Sequence, residues 1–360
     1  MTTRKRKGSV PRARLATAAS TAVDHGRLKQ LLPRQSPTWT VFLTWIETCC
    51  MFVVSLFTFI AATLWLVFRV CQELFCMCRR KPTRMSPTSV LITGASAGIG
   101  KGLALEYAKK GARLVLIARR FAELKKVEEE CLQAGARKVT VCPCDVRERV
   151  KMHNIILACD DEEPIDLLVA NAGVLCNSDG ISGSERVLDI NLRGALNTVF
   201  PICARLMYRQ EGQILFVSSL GAYAPATNAF MMPYLASKAA INQFGAGLRA
   251  VMAEHNVGVS VACLGMIESD LTVKQLQTNY KIDLMGFMSS KEACPLIVEG
   301  IEENRAAIVF PLWLYLVTRV LGGLGGAMTD AIAKELREGD PFSKIDQKHP
   351  LQIQPSGVNR

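Results

Sequence analysis

The sequence lacks the residue patterns that several large classes of protein require. Only four of its 360 residues are histidine, and none of its 13 cysteines belongs to a Cys-x-x-Cys pair. We therefore predict no metal site, and reduced thiols instead of a disulfide framework. The Asn-x-Ser/Thr acceptor of N-glycosylation is also absent, which agrees with a folded body that faces the cytoplasm.

Most of the chain has no net positive charge, although the formal net charge of the whole chain is +11. Residues 1–87 hold 14 Lys or Arg and three acidic residues, and the rest of the chain holds 29 of each. A nucleic-acid-binding fold carries its basic surface on the folded body, so no nucleic-acid partner is expected. A basic arm on a neutral body is typical of a targeting signal or of contact with a membrane surface.

The N-terminal part of the chain divides into three predicted segments. Residues 1–40 form a basic arm that we expect to be disordered. Residues 41–70 form a transmembrane anchor, because residues 48–68 contain no charge and a helix of that length crosses a hydrocarbon core of ~30 Å. Residues 71–87 form a basic linker.

The charges around this span favour a cytoplasmic body, because more basic residues follow it closely than precede it. We expect a protein of the endoplasmic reticulum membrane that contacts membrane lipids. An alternative stays open, since the arm also fits a transit peptide that leads to an organelle membrane.

After Pro87, buried strands alternate with helical segments. The predicted strands are residues 89–92, 114–118, 139–142, 167–170, 214–217, 259–263 and 307–310. This alternation predicts an α/β domain over residues 88–310 with a doubly wound, mostly parallel seven-stranded sheet of Rossmann type. An apolar helix is expected over residues 311–338, either capping a pocket or lying on a bilayer, and a polar tail over residues 339–360.

Glycines cluster at the first strand–helix junction, where residues 93–100 read Thr-Gly-Ala-Ser-Ala-Gly-Ile-Gly. Glycines permit a tight turn close to a pyrophosphate, and the helix N-terminus that follows offers free N–H groups. We therefore predict a dinucleotide site whose loop ligands are Gly94, Ser96, Gly98, Ile99 and Gly100.

Two arginines, Arg119 and Arg120, follow the second strand. A site for NAD would have an acidic residue at this point for the ribose 2′-hydroxyl. Guanidinium groups suit a 2′-phosphate, because each can donate two parallel hydrogen bonds to it. The predicted cofactor is NADP(H).

Further motifs follow in a fixed order. They are Asp145-Val146 after strand three, Asn171-Ala172-Gly173 after strand four, Asn191 in a helix, Ser218-Ser219 after strand five, Tyr234 with Lys238 in the next helix, and Ile267 with Ser269 after strand six. Together with the glycine loop, these motifs resemble the short-chain dehydrogenase/reductase family over residues 88–310. The membrane anchor adds a similarity to its 3-ketosphinganine reductases and hydroxysteroid dehydrogenases.

The resemblance implies a role for each motif. Tyr234 would donate a proton to a carbonyl oxygen that Ser219 also binds. Lys238, one helical turn from Tyr234, would lower the pKa of the phenol and hold the nicotinamide ribose. Asn191 would position a water in the proton relay. The expected cofactor contacts are those of Asp145, Val146, Asn171, Ala172, Gly173, Tyr234, Lys238, Ile267 and Ser269.

The chain departs from the family pattern at two places. Leu264-Gly265 stands where the family has Pro-Gly, which removes no chemical group. Ser219 precedes Tyr234 by 15 positions, about two more than usual, so Ser218 stays an alternative to Ser219.

The expected reaction interconverts a ketone and a secondary alcohol on a lipophilic substrate, and a homo-oligomer is compatible with the sequence. Two other functions remain open. One is a binding protein that kept the fold and lost catalysis, and the other is an NAD-linked epimerase or dehydratase on a related fold.

Overall fold

Residues 37–79, 86–175, 182–224, 231–268 and 288–323 are described by the structure, which is a computed structural model. The chain divides into two compact units after Cys78. The first contains one long helix, α1 (Pro37–Arg79). Its segment Val41–Gln72 has a mean hydropathy of 2.3 and is not buried by any other part of the protein described here. This helix is long and apolar enough to cross a membrane, as predicted for residues 41–70.

The bounds of α1 correct two predicted segments. The helix begins at Pro37, inside the arm predicted to be disordered, and it continues through Arg79 into the predicted linker. An established helix gains one hydrogen bond for each residue added, so the polar residues after the apolar run do not end it. Residues 1–36 and 80–85 lie outside the described residues.

A parallel seven-stranded sheet forms the centre of the second unit. Its strands are β1 (Ser89–Thr93), β2 (Arg113–Ala118), β3 (Lys138–Pro143), β4 (Leu167–Ala170), β5 (Gln213–Ser219), β6 (Gly258–Leu264) and β9 (Ala307–Phe310). Their order is β3-β2-β1-β4-β5-β6-β9, so the winding direction reverses between β1 and β4. All seven predicted strands are present, which confirms the doubly wound α/β fold. In such sheets, ligands bind at the reversal point, beside the carboxyl ends of the strands.

Helices cover both faces of the sheet. One face carries α2 (Gly98–Lys109), α3 (Phe121–Ala134) and α8 (Ser290–Glu302), and the other carries α4 (Arg149–Glu162), α6 (Gly194–Arg209) and α7 (Met232–Ala253). Helix α5 (Ser182–Leu188) continues through a π-helical turn, Asp189–Arg193, into α6. The short strands β7 (Ile267–Glu268) and β8 (Met288–Ser289) pair with each other.

Each face of the sheet buries its own apolar core. In β1, Val90 and Ile92 pack on the α2 side and Leu91 packs on the α4 side. Successive strand residues point to opposite faces, so a strand that is covered on both faces must be apolar throughout. Burial of each such side chain stabilises the fold by ~1.5–3 kcal/mol.

A 3₁₀ turn, Leu220–Tyr223, directly follows β5. Helix α9 (Leu312–Gly323) follows β9 and packs against this turn. The apolar helix predicted for residues 311–338 therefore begins at Leu312. Residues 324–338 and the predicted tail, 339–360, lie outside the described residues.

Candidate active site

A cavity of about 340 Å³ lies at the carboxyl ends of the strands. Most of the predicted site residues line it. They are Gly94, Ser96, Gly98, Ile99, Arg119, Arg120, Asp145, Val146, Asn171, Ala172, Gly173, Ser219, Tyr234, Lys238 and Ile267. Gly100 and Asn191 do not line the cavity, and Ser269 lies outside the described residues.

The glycine loop is shaped by close backbone approach. Gly94 and Gly98 have φ angles of +68° and +55°, which L side chains rarely adopt. A Cβ on Gly94 would stand 2.9 Å from the Cα of Ala172. A Cβ on Gly100 would overlap the carbonyl oxygen of Gly94, so Gly100 allows α2 to pack behind the loop.

The N-terminus of α2 fits a pyrophosphate. Ala97 occupies the N-cap position, and its methyl side chain cannot accept a hydrogen bond from the first N–H groups. The first turn contains no acidic residue. The free N–H groups and the positive end of the helix dipole therefore lie at the cavity wall, where Ala97 and Gly98 line it.

Guanidinium groups surround the β2 end of the cavity. Arg120 donates to the Ser96 hydroxyl at 3.1 Å, and an Arg119 nitrogen lies 3.8 Å from a carboxylate oxygen of Asp145. Arg147 donates to the two carboxylate oxygens of Asp145 at 3.1 and 2.8 Å, and these hydrogen bonds lower the pKa of that carboxyl. Sequence reasoning did not identify Arg147, although its spacing from Asp145 suits a local ion pair.

Thr93 and Asn171 join the ends of β1 and β4. The Asn171 side chain donates to the Thr93 carbonyl at 2.8 Å, and the Thr93 hydroxyl accepts from the backbone N–H of Asn171 at 3.1 Å. These bonds fix the Asn171-Ala172-Gly173 turn against the glycine loop. A Cβ on Gly173 would stand 3.5 Å from the Lys238 ammonium, so the small residue leaves room beside that group.

Ser219, Tyr234 and Lys238 form one cluster. Tyr234 and Lys238 lie one turn apart on α7, with the Lys238 ammonium 5.7 Å from the centroid of the Tyr234 ring. The Ser219 hydroxyl hydrogen-bonds the Tyr234 phenol. The Ser218 hydroxyl instead donates to the Lys238 backbone carbonyl at 3.1 Å. The geometry therefore favours Ser219 over Ser218 as the serine that accompanies Tyr234.

Burial dominates the electrostatics of this cluster. Burial raises the pKa of Tyr234, and the hydrogen bond with Ser219 opposes that rise. Burial also lowers the pKa of Lys238 to about 8, and its ammonium donates to the Val217 carbonyl at 2.8 Å. In the protein alone, desolvation of the phenolate therefore sets the direction of the Tyr234 pKa shift, and the lowering expected from Lys238 together with a cationic nicotinamide stays a prediction for the cofactor-bound protein.

Asn191 lies behind the cavity wall. It lies fully buried in the π-helical turn, and its side-chain amide donates to the Val174 carbonyl at 2.9 Å and to the Ser237 hydroxyl at 3.1 Å. Its carbonyl oxygen accepts from the Val174 N–H at 2.8 Å. The two N–H donors are occupied, so the side chain fixes the cavity wall from behind and does not line the cavity.

Other lining residues were not predicted as site residues from the sequence, although Ser218 was an alternative to Ser219. They are Ala97, Ala118, Cys144, Val174, Ile190, Val217, Ser218, Leu264 and Gly265. Most adjoin a motif residue, so the extension of each motif by one position is the signal that would have found them.

Comparisons with known proteins agree with this fold. The family model of the short chain dehydrogenases matches residues 88–280. An uncharacterized oxidoreductase of Myxococcus xanthus is 33% identical over 266 residues, which cover 70% of this chain and 99% of that protein. The 11-beta-hydroxysteroid dehydrogenase-like 2 protein of Arabidopsis thaliana is 33% identical over 235 residues, 62% of this chain and 74% of its own.

Solved structures show the same fold. Levodione reductase superposes with a TM-score of 0.56 at 19% identity and covers 61% of this chain and 94% of its own. A short-chain dehydrogenase from Sphingobium yanoikuyae, solved in complex with NADPH, has a TM-score of 0.56 at 21% identity. The match covers 74% of this chain and 98% of that protein. From its fold, its ordered motifs and these matches, the chain belongs to the short-chain dehydrogenase family.

Proposed function

We propose that this protein is an NADP(H)-dependent, membrane-anchored oxidoreductase that interconverts a ketone and a secondary alcohol on a lipophilic substrate. One observation carries the proposal. The Ser219, Tyr234 and Lys238 cluster lines the same cavity as a free helix N-terminus and a pair of arginines. A reacting group and a dinucleotide therefore have places in one crevice.

The cofactor preference rests on charge. Arg119 and Arg120 line the cavity at the end of β2, and Asp145, whose carboxylate lies 3.8 Å from Arg119, is already bound by Arg147. An unpaired carboxylate would repel a 2′-phosphate, whereas the neutralised one leaves two guanidinium groups to bind it. Members of the family use nicotinamide cofactors, and this arrangement supports NADP(H) over NAD(H).

The protein's own residues perform the proton chemistry. A bound nicotinamide would supply hydride to the carbonyl carbon or accept it from the alcohol. Because burial raises the pKa of Tyr234, the phenol is protonated at neutral pH and can donate to a carbonyl oxygen. Ser219, hydrogen-bonded to that phenol, is placed to donate a second hydrogen bond to the same oxygen. With a pKa of about 8, Lys238 is mostly protonated at neutral pH and places a positive charge near the developing phenolate.

Apolar surfaces support a lipophilic substrate and contact with membrane lipids. Helix α9 has a face of exposed apolar side chains, made of Leu312, Trp313, Leu316, Val317 and Val320. Such a face favours the boundary between headgroups and acyl chains. With α1 as the anchor, we place the protein in the endoplasmic reticulum membrane with its catalytic unit in the cytoplasm. The names of two relatives refer to hydroxysteroids, which are lipophilic alcohols.

The test is turnover by the Tyr234→Phe variant of the full-length protein in detergent, with NADPH and a panel of lipid ketones. Loss of one hydroxyl should lower kcat by ~10²–10⁴-fold, since general acid catalysis typically contributes that much. NADPH affinity and melting temperature should stay near those of the wild type. The matched control is Tyr208→Phe, because Tyr208 is 91% exposed and does not line the cavity.

Two results would contradict the proposal. Near-wild-type kcat in Tyr234→Phe would remove the phenol from the chemistry. NADPH binding without turnover of any ketone would instead indicate a binding protein that has kept the fold.

A further inference from the structure

Helix α9 has two faces with different partners. Leu314 and Thr318 are buried against the body, and Tyr315, Arg319 and Gly322 follow on the same side at helical spacing. This inner face meets the 3₁₀ turn Leu220–Tyr223, which directly follows Ser219. The C-terminal helix of the described chain therefore packs on the segment that carries the serine of the candidate site.

Tyr223 is the centre of this contact. Its ring makes an edge-to-face pair with Tyr315 at 5.2 Å, and the Arg319 guanidinium lies 5.1 Å from its centroid. Arg319 also lies 5.8 Å from the Tyr315 centroid. Aromatic pairs and cation–π contacts of this kind each favour one relative orientation of the groups involved.

The backbone contact is tighter still. A Cβ on Gly322 would overlap the carbonyl oxygen of Tyr223, whereas a Cβ on the next residue, Gly323, would meet nothing within 4 Å. Glycine at position 322 thus permits α9 to press on the 3₁₀ turn. Any side chain at that position must move one element away from the other.

The 3₁₀ turn also fixes the position of the Ser219 hydroxyl. The Ser219 hydroxyl accepts from the backbone N–H of Gly221 at 3.2 Å, which caps the 3₁₀ turn. A Cβ on Gly221 would stand 2.6 Å from Leu235, the neighbour of Tyr234 on α7. A shift of the turn would therefore move the Ser219 hydroxyl relative to the Tyr234 phenol.

The phenol of Tyr223 extends the contact toward Lys238. Its hydroxyl lies 3.3 Å from the Cys263 sulfur in β6, and burial raises the pKa of that thiol to about 11, so it stays neutral. Cys263 pairs in register with Ser218, whose hydroxyl binds the Lys238 carbonyl. Tyr223 is thus connected to both the serine and the lysine of the cluster.

We propose that Tyr223 is a positioning residue, through which helix α9 holds Ser219 in its catalytic orientation. This inference rests on the proposed function and deepens it, because it makes α9 part of the active site. Tyr223 does not line the cavity that holds the cluster, so it acts through the turn and does not touch the reacting atoms.

The decisive experiment compares Gly322→Ala with Gly323→Ala in the full-length protein. Both variants add one methyl group to the same helix, and only the first meets Tyr223. Gly322→Ala should lower kcat for ketone reduction about tenfold or more, because misplacement of a reacting group by ~1 Å can cost ~10²-fold. NADPH affinity should change less than about twofold, since the glycine loop is untouched. Gly323→Ala should match the wild type in every measurement.

A second pair of variants separates the two contacts of Tyr223. Tyr223→Phe keeps the ring pair with Tyr315 and loses only the hydroxyl, so its kcat should stay close to that of the wild type. Tyr223→Leu also loses the ring, and its kcat should fall. This rescue by the conservative variant keeps the test valid if Gly322→Ala fails to fold. Hydrogen exchange of the Leu220–Tyr223 amides gives a readout without catalysis, and it should be faster in Gly322→Ala than in Gly323→Ala.

Equal kcat in Gly322→Ala and Gly323→Ala, or a loss of NADPH affinity as large as the loss of kcat, overturns the inference. So does equal kcat in Tyr223→Phe and Tyr223→Leu. Failure of the proposed function is seen separately, as a wild-type protein that reduces none of the ketones. In that case hydrogen exchange of the Leu220–Tyr223 amides is the only test of the inference. Identical exchange rates in Gly322→Ala and Gly323→Ala would refute the link between α9 and the turn.

Discussion

Lys238 carries a measurable energetic cost in the folded protein. Burial lowers its pKa from 10.5 to about 8, which corresponds to about 3 kcal/mol of unfavourable free energy at neutral pH. Lys238→Met removes this charge and keeps a chain of similar length. It also removes the hydrogen bond to the Val217 carbonyl, which contributes about 1.5 kcal/mol because the donor is charged. At pH 7 the variant should therefore be more stable than the wild type by about 1–2 kcal/mol, although it should be inactive.

The pH dependence gives the sharper test. Because the folded pKa lies below the unfolded one, the folded wild type binds fewer protons between pH 8 and about 10.5 than the unfolded chain. The free energy of unfolding of the wild type should therefore rise with pH across this window, compared with that of Lys238→Met. The advantage of Lys238→Met should be largest below pH 8 and should shrink by about 3 kcal/mol across the window. Above the window the lysine is neutral in both the folded and the unfolded chain, so the variant should be the less stable protein because it lacks the hydrogen bond to Val217.

The assay is urea unfolding of the full-length protein in detergent without cofactor, followed by circular dichroism at several pH values from 7 to 10.5. Differences between variants cancel the other groups that titrate in this range. Lys151→Met is the control, since its side chain is half exposed and its stability should follow the wild type at each pH. A constant difference between Lys238→Met and the wild type across the window would refute the assignment of a buried, destabilised lysine.

Two further predictions concern the cofactor and the anchor. Replacement of both Arg119 and Arg120 by Ala should weaken NADPH binding far more than NADH binding, because each charge-assisted hydrogen bond contributes about 1.5–3 kcal/mol. Equal use of NADH and NADPH by the wild type in a titration would contradict this prediction. A chain that begins near Met85 should keep NADPH binding, because the sheet begins at Ser89. Recovery of the full-length protein in a soluble fraction without detergent would show that α1 does not span a membrane.

Much of the fold was predictable because its signals are local. A parallel strand covered on both faces is mostly apolar, so β1 and β4 appear as short apolar runs. The glycine loop was equally clear, since a left-handed φ at Gly94 and close packing at Gly100 both exclude larger residues. The bounds of β4 and β9 are those predicted, and the bounds of the other five sheet strands differ from the predicted ones by at most two residues at either end.

Other features depended on groups that lie far apart in the sequence. The ends of α1 were misplaced, because helix propagation continues past the apolar residues that mark the span. The role of Asn191 in the wall became visible only with its bonds to Val174 and Ser237. The contact of Tyr223 with Tyr315 and Gly322 had no local signal at all, because each residue alone is unremarkable in a turn or a helix.

The sequence by itself determined the order of the strands along the chain, the residues at their carboxyl ends and the family to which they belong. The tertiary structure alone decided the electrostatics and the mutual support of these residues. Spacing places Tyr234 and Lys238 on one face of a helix, yet the direction of each pKa shift depends on burial by β5, β6 and the turn after Ser219. Desolvation is a property of everything packed around a group, and that environment is assembled from segments that no local pattern connects.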